Sequence, residues 1–238
     1  MISLKNLNVF VSGKQILKNI NFDFEKGKVY ALMGPNGSGK STLANILMGH
    51  PSYEIKSGRI FFEGEDITDL PVEKRSQKGI FLSFQQPLSL SGVNVFQLLR
   101  LALSGKKDPL ALKKEIDTLA KKLKIKKELI ERSLNDGASG GEKKKMEVLQ
   151  AAVLEPKFLI FDEVDTGVDV DALKTIASFI ADFKKGRTIL VITHYNRILR
   201  YLRPDKVLVM IDGEIKKVGD HQLAEEIEKE GYEKEVKS

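Results

Sequence analysis

The chain has 238 residues, 42% hydrophobic and 30% charged, enough apolar material for one large α/β domain or a core with an inserted lobe. It contains no cysteine, which excludes a disulfide framework, a thiolate metal site and a thiol nucleophile. No apolar run approaches the roughly 20 residues needed to span a bilayer, and no signal-peptide pattern opens the chain, so a soluble cytoplasmic protein without direct membrane insertion is expected.

The net charge is +6, with Lys and Arg concentrated between Gly105 and Arg132. Leucine and isoleucine alternate with these lysines at helical spacing, which describes a solvated helix face. Few aromatics lie among them, so stacking on bases has little support and no nucleic-acid partner is expected.

In chain order, Leu4 to Val11 and Ile16 to Phe24 alternate apolar and polar residues, the mark of half-buried antiparallel strands. Val29 to Met33 reads as a short buried strand feeding a glycine loop, and Ser41 to Met48 carries helical spacing. Arg59 to Phe62 and Ile80 to Phe84 give two more strands, the second followed by Gln85-Gln86-Pro87. From Val93 to about Leu154 the pattern is almost wholly helical. Phe158-Leu159-Ile160-Phe161 returns to a buried strand, followed by a helix (Val170 to Phe183), another buried strand (Thr188 to Thr193), a short helix, a hairpin at Asp212-Gly213 and closing helices. Buried strands alternating with helices imply a mainly parallel sheet covered on both faces. One domain is expected over 1–238, with its β core in 1–84 and 157–238 and a helical lobe inserted at about 85–156.

Strand, glycine loop and helix are the context of a phosphate-binding loop, and Gly34-Pro35-Asn36-Gly37-Ser38-Gly39-Lys40-Ser41 has its pattern. Glycines let successive N–H groups point into one nest, and the following helix adds its positive dipole end. Lys40 reaches the outer phosphates in such a loop, Ser41 ligates Mg²⁺, and Thr42 continues the nucleotide-binding set. Asp162-Glu163 ends a buried strand, where carboxylates are costly unless a cation or ordered water compensates them. Asp162 is placed to hold the Mg²⁺ shell and Glu163 to orient the attacking water. His194 follows the next strand, in reach of a γ-phosphate. Gln85 offers an amide to Mg²⁺ or water. Ser139-Gly140-Gly141-Glu142 opens a helix with a second anion-ready terminus. One nucleotide is not easily served by both termini within one monomer.

These motifs, in this order, resemble the ATP-binding-cassette (ABC) ATPases over essentially the whole chain. The resemblance implies a P-loop α/β fold with a mainly parallel core sheet, an antiparallel β region and an inserted helical subdomain. It implies ATP and Mg²⁺ as cofactors, with Asp169 ending the turn after the acidic pair. It also implies a transient, ATP-dependent homodimer, in which Ser139, Gly140 and Gly141 of one copy cap the nucleotide of the other. Glu142 and Val164 stand where transporter ATPases usually have glutamine and proline. The stretches from Arg132 to Lys144, from Asp162 to Lys174 and from Thr193 to Leu199, with Glu230-Gly231-Tyr232, resemble SufC-type ATPases of iron–sulfur cluster assembly. That resemblance implies a SufB-like scaffold, alone or with a SufD-like one, as partner. The alternatives are a transporter ATPase, sharing every core motif, and a nucleic-acid-associated ABC protein. The aromatic that stacks adenine in many of these proteins has its slot at Val11, so weak base selectivity is expected.

Overall fold

The computed structural model describes residues 1–194 and 196–232. Tyr195 of the third resemblance stretch lies outside the described residues.

The chain begins with a hairpin, β1 (Ile2–Val11) and β2 (Lys14–Phe24), then β3 (Val29–Met33), α1 (Lys40–Met48), β4 (Glu54–Phe62), β5 (Glu65–Asp66), α2 (Val72–Lys78) and β6 (Ile80–Ser83). Helices α3 (Val95–Ala102), α4 (Pro109–Lys122), α5 (Lys127–Glu131) and α6 (Gly140–Leu154) follow. The remainder is β7 (Phe158–Asp162), α7 (Val170–Phe183), β8 (Thr188–Ile192), α8 (Asn196–Leu202), β9 (Lys206–Ile211), β10 (Glu214–Gly219) and α9 (His221–Glu230).

An antiparallel sheet has the order β2-β1-β4-β5. A larger sheet has the order β10-β9-β3-β8-β7-β6, parallel from β9 to β6, with β10 antiparallel at one edge. The central strands β3, β8 and β7 are buried at every position and almost wholly apolar because each face meets a different core. In β3, Val29, Ala31 and Met33 pack with the helical side, while Tyr30 and Leu32 pack towards α1 and the antiparallel sheet. β7 divides likewise, Leu159 and Phe161 against Phe158 and Ile160. That is period-two geometry in a layer covered on both sides.

The lysine-rich segment behaves as a solvated face. Leu112, Ile116 and Ala120 of α4 are buried, whereas Lys113, Lys114, Lys121 and Lys122 are exposed. The hairpin at Asp212-Gly213 has both residues at positive φ, 49° and 82°, the backbone of a type I′ turn.

Several boundaries differ from the sequence reading. β4 starts at Glu54, because its first residues alternate little in polarity yet pair with β1. β6 ends at Ser83, and Phe84 is exposed. α2 and the two-residue β5 are additional, since such short elements are set by their packing, while α5 falls within the stretch read as helical. Among the described residues one helix, α9, closes the chain.

Candidate functional site

Because β3, β8, β7 and β6 run parallel and in register, their carboxyl ends reach one edge together. Leu32 lies opposite Ile192, Ile192 opposite Asp162, and Phe161 opposite Ser83. The loops that leave them carry the P-loop, His194, Glu163 and Gln85. Ligand sites of open α/β sheets lie at this edge. A cleft of about 640 Å³ opens there, lined by Ile16, Asn36, Gly37, Gly39, Lys40, Ser41, Thr42, Gln85, Glu163, Thr166 and His194.

The P-loop connects β3 to α1 and must turn sharply without side chains in the way. A Cβ on Gly34 would run into the Met210 carbonyl and lie 2.8 Å from Ser38 Oγ. Gly39, the N-cap of α1, sits at φ 103°, a left-handed conformation that glycine adopts at little cost. Among the described residues no side chain caps α1, and its first turn has no acidic residue, which leaves its amide dipoles for an anion. Lys40 is buried at 4% exposure and donates to the Gly34 carbonyl at 2.9 Å and the Pro35 carbonyl at 2.8 Å. Burial pulls its pKa below the ordinary lysine value, against the opposing charges of Glu163 and Asp162. Ser38 is buried within the loop and Gly213 donates to its carbonyl, so the β9–β10 hairpin braces the loop.

The acidic pair divides between two environments. Asp162 is buried, and its Oδ1 has no hydrogen-bond partner among the described residues. Burial pushes its carboxyl up, and the nearby Ser41 hydroxyl, Lys144 and Lys40 only partly offset this. Glu163 lies at φ 50°, an uncommon conformation for a residue with a side chain. That turn carries its carboxylate to the cleft, where Oε1 meets His194 Nε2 at 2.8 Å and Oε2 accepts from Gln85 Nε2 at 2.8 Å. Burial raises the Glu163 carboxyl, but Gln85, His194 and Lys40 outweigh it and hold the group below the ordinary value.

Ser139, Gly140, Gly141 and Asp169 do not line this cleft. Ser139 and Glu142 form a reciprocal capping box at the start of α6. A Cβ on Gly140 would lie 2.9 Å from the Gly167 carbonyl, and one on Gly141 3.2 Å from Ala172 Cβ. The glycines therefore let α6 pack onto the turn before α7, where Asp169 caps by accepting from Ala172 N at 2.8 Å.

Three groups at the site escape a motif reading. Ile16 lines the cleft and Val11 does not, because the β1–β2 turn ends the first strand and Ile16 begins the stretch seated on the Asp212-Gly213 hairpin. Thr166 enters from the turn after Glu163. Tyr232, at the far end of the chain, accepts from Gly34 N at 3.1 Å through its hydroxyl. The terminal Glu230-Gly231-Tyr232 stretch was the available signal, but it does not say where it docks.

A family model described as ABC transporter matches residues 17–166. The chain is an ABC ATPase. A probable ATP-dependent transporter of Synechocystis sp. is 46% identical to it, covering 98% of this chain and 94% of the relative. A probable ABC transporter ATP-binding protein of Streptococcus pyogenes is 43% identical, with 98% and 93% covered. Among solved structures, cbiO1 of Clostridium perfringens, part of the ABC transporter complex cbiONQ, matches with TM-score 0.78 at 30% identity over 99% of this chain and 92% of that one. This ABC ATPase uses ATP with Mg²⁺. The residues fit the metal: a buried, unpartnered carboxylate oxygen beside a serine hydroxyl is a hard-oxygen donor set. No helix among the described residues is long and apolar enough to cross a membrane.

Proposed function

We propose that this chain is the ATP-hydrolysing subunit of a larger complex and that two copies close around nucleotide to do work on a partner. The observation that supports hydrolysis best is the ionised Glu163 carboxylate, aimed into the P-loop cleft between His194 and Gln85.

The loop from Gly34 to Ser41, with Thr42, holds the polyphosphate on backbone amides. Lys40 exchanges loop carbonyls for phosphate oxygens. Ser41, Asp162 and Gln85 would hold Mg²⁺, which supplies charge neutralisation at the phosphates. With its amide nitrogen on Glu163, Gln85 has its oxygen left for the cation. Glu163 orients the attacking water, and His194 orients Glu163 and reads the terminal phosphate. The α6 terminus at Ser139, Gly140 and Gly141, with Asp169 beside it, serves the nucleotide of a second copy, since it lies outside its own cleft. The helical lobe at about 85–156, inserted in a β core formed by 1–84 and 157–238, carries the motion to the partner.

The names of the relatives speak for a transporter, in which the partner is a membrane permease. A second reading has a specific observation in its favour. Glu142, which closes the capping box, and the fully buried Val164 occupy the positions where the sequence resembles SufC-type ATPases, whose partner is a soluble SufB/SufD-like scaffold. Affinity purification from native lysate separates them. Recovery of a multi-span membrane protein supports the transporter, and recovery of a soluble scaffold supports the cluster-assembly role. Calorimetry with MgATP tests the shared premise: wild type binds, Lys40→Ala loses the heat, and equal binding by both would overturn it.

A further inference from the structure

Beyond Ser83 the chain leaves β6, an edge strand, and the polar backbone of Phe84 and Gln85 loses its ladder partners. Two side chains of α6 take their place. Lys144 Nζ donates to the Phe84 carbonyl at 2.8 Å and to the Gln85 carbonyl at 2.9 Å. Glu147 Oε1 accepts from Phe84 N at 2.8 Å. The two side chains are one turn apart on α6, are 4% and 5% exposed, and approach each other at 3.5 Å.

A buried ion pair is an expensive way to stabilise a fold, and well-packed apolar residues commonly do as well or better. This pair fastens three backbone groups of one dipeptide, and the Gln85 side chain then donates to Glu163 at 2.8 Å. The route from α6 to the acidic end of β7 therefore runs from Lys144 to the Gln85 backbone and from the Gln85 side chain to Glu163. The same helix starts at Ser139, the terminus assigned above to the second copy.

We propose that Lys144 and Glu147 are positioning residues for hydrolysis: they clamp the Phe84-Gln85 backbone to α6 and so set where Gln85 meets Glu163. The inference rests on the assignment of Glu163 and Gln85 to the hydrolytic site. It makes α6 the element that reports, at its amino end, on the second copy and, one turn further on, sets the geometry of its own site. Neither residue lines the nucleotide cleft, so the clamp reaches nucleotide only through Gln85 and the metal that Gln85 would help to hold.

The test uses the full chain with MgATP. Lys144→Met, which removes both carbonyl anchors, lowers kcat by about tenfold or more, because displacements of about an ångström at a reacting centre have effects of that size. Nucleotide affinity measured without Mg²⁺ stays within about twofold, since Gln85 reaches nucleotide through the metal. Combined with Gln85→Ala, Lys144→Met adds little further loss, since both act through one side chain. Glu147→Gln keeps an acceptor for Phe84 N and lowers kcat less, and it carries the same comparison if Lys144→Met does not fold. A wild-type kcat in Lys144→Met or Glu147→Gln, or full additivity with Gln85→Ala, overturns the clamp. Glu163→Gln is the separate control: if it turns over normally, the site assignment itself fails, whatever the clamp variants do.

Discussion

Glu163 Oε1 and His194 Nε2 lie 2.8 Å apart although 31 residues separate them in the chain. They meet because β7 and β8 are parallel neighbours that end level. Glu163→Gln is expected to keep MgATP binding while lowering kcat by about 100-fold or more, the pattern of an interaction made in the transition state. Single-turnover hydrolysis beside equilibrium binding measures both. His194→Ala, which removes one of the hydrogen-bond partners of the carboxylate and leaves Gln85 and Thr166, falls between wild type and Glu163→Gln.

Burial pushes the Glu147 carboxyl up from the ordinary carboxylate range to about 7, against the pull of Lys144 and the Phe84 amide. A raised folded-state pKa favours the fold below the unfolded value, and that contribution is lost as pH rises to about 7. Glu147→Gln imitates the protonated form. Its stability relative to wild type therefore improves between pH 5 and pH 8, by about 2–3 kcal/mol at most. Denaturant unfolding at the two pH values measures it. A difference independent of pH contradicts the burial argument.

Tyr232 supplies the acceptor for the first amide of the P-loop. Tyr232→Phe keeps the ring, which packs against the core below α9, and leaves Gly34 N without that partner. The expected loss is about 1 kcal/mol of stability by thermal unfolding, together with a higher KM for ATP. An unchanged melting curve and KM would show the contact to be incidental.

Arg75 is the largest fully buried side chain and donates to the carbonyls of Leu70 at 2.8 Å, Ile46 at 2.7 Å, Leu47 at 3.1 Å and Thr68 at 2.7 Å. Burial lowers its pKa to about 10, with Asp69 and Asp66 opposing, so it stays charged at neutral pH. It ties the end of α1, the P-loop helix, to the loop before α2. Arg75→Leu is expected to cost about 3 kcal/mol or more by leaving those carbonyls unpaired, and Arg75→Lys recovers only part because one ammonium cannot span the fork.

The alternation in β1 and β2, the buried runs of β3, β7 and β8 and the glycines of the P-loop were legible because each is a local pattern with a local cause: a face, a core or a tight turn. The nucleotide motifs were legible for the same reason. The phosphate recognition proposed for the P-loop needs contiguous backbone, and Asp162 and Glu163 are neighbours in the chain. Ile16, Arg75, Tyr232 and the Lys144–Glu147 pair carry no such pattern. Each acts through the backbone or cleft of a segment remote in sequence, and a lysine among Lys143, Lys144 and Lys145 looks like any solvated helix residue until burial singles one out. Strand order and register decided which residues share the cleft edge, since only the parallel ladder brings Gln85, Glu163 and His194 level with the loop around Lys40.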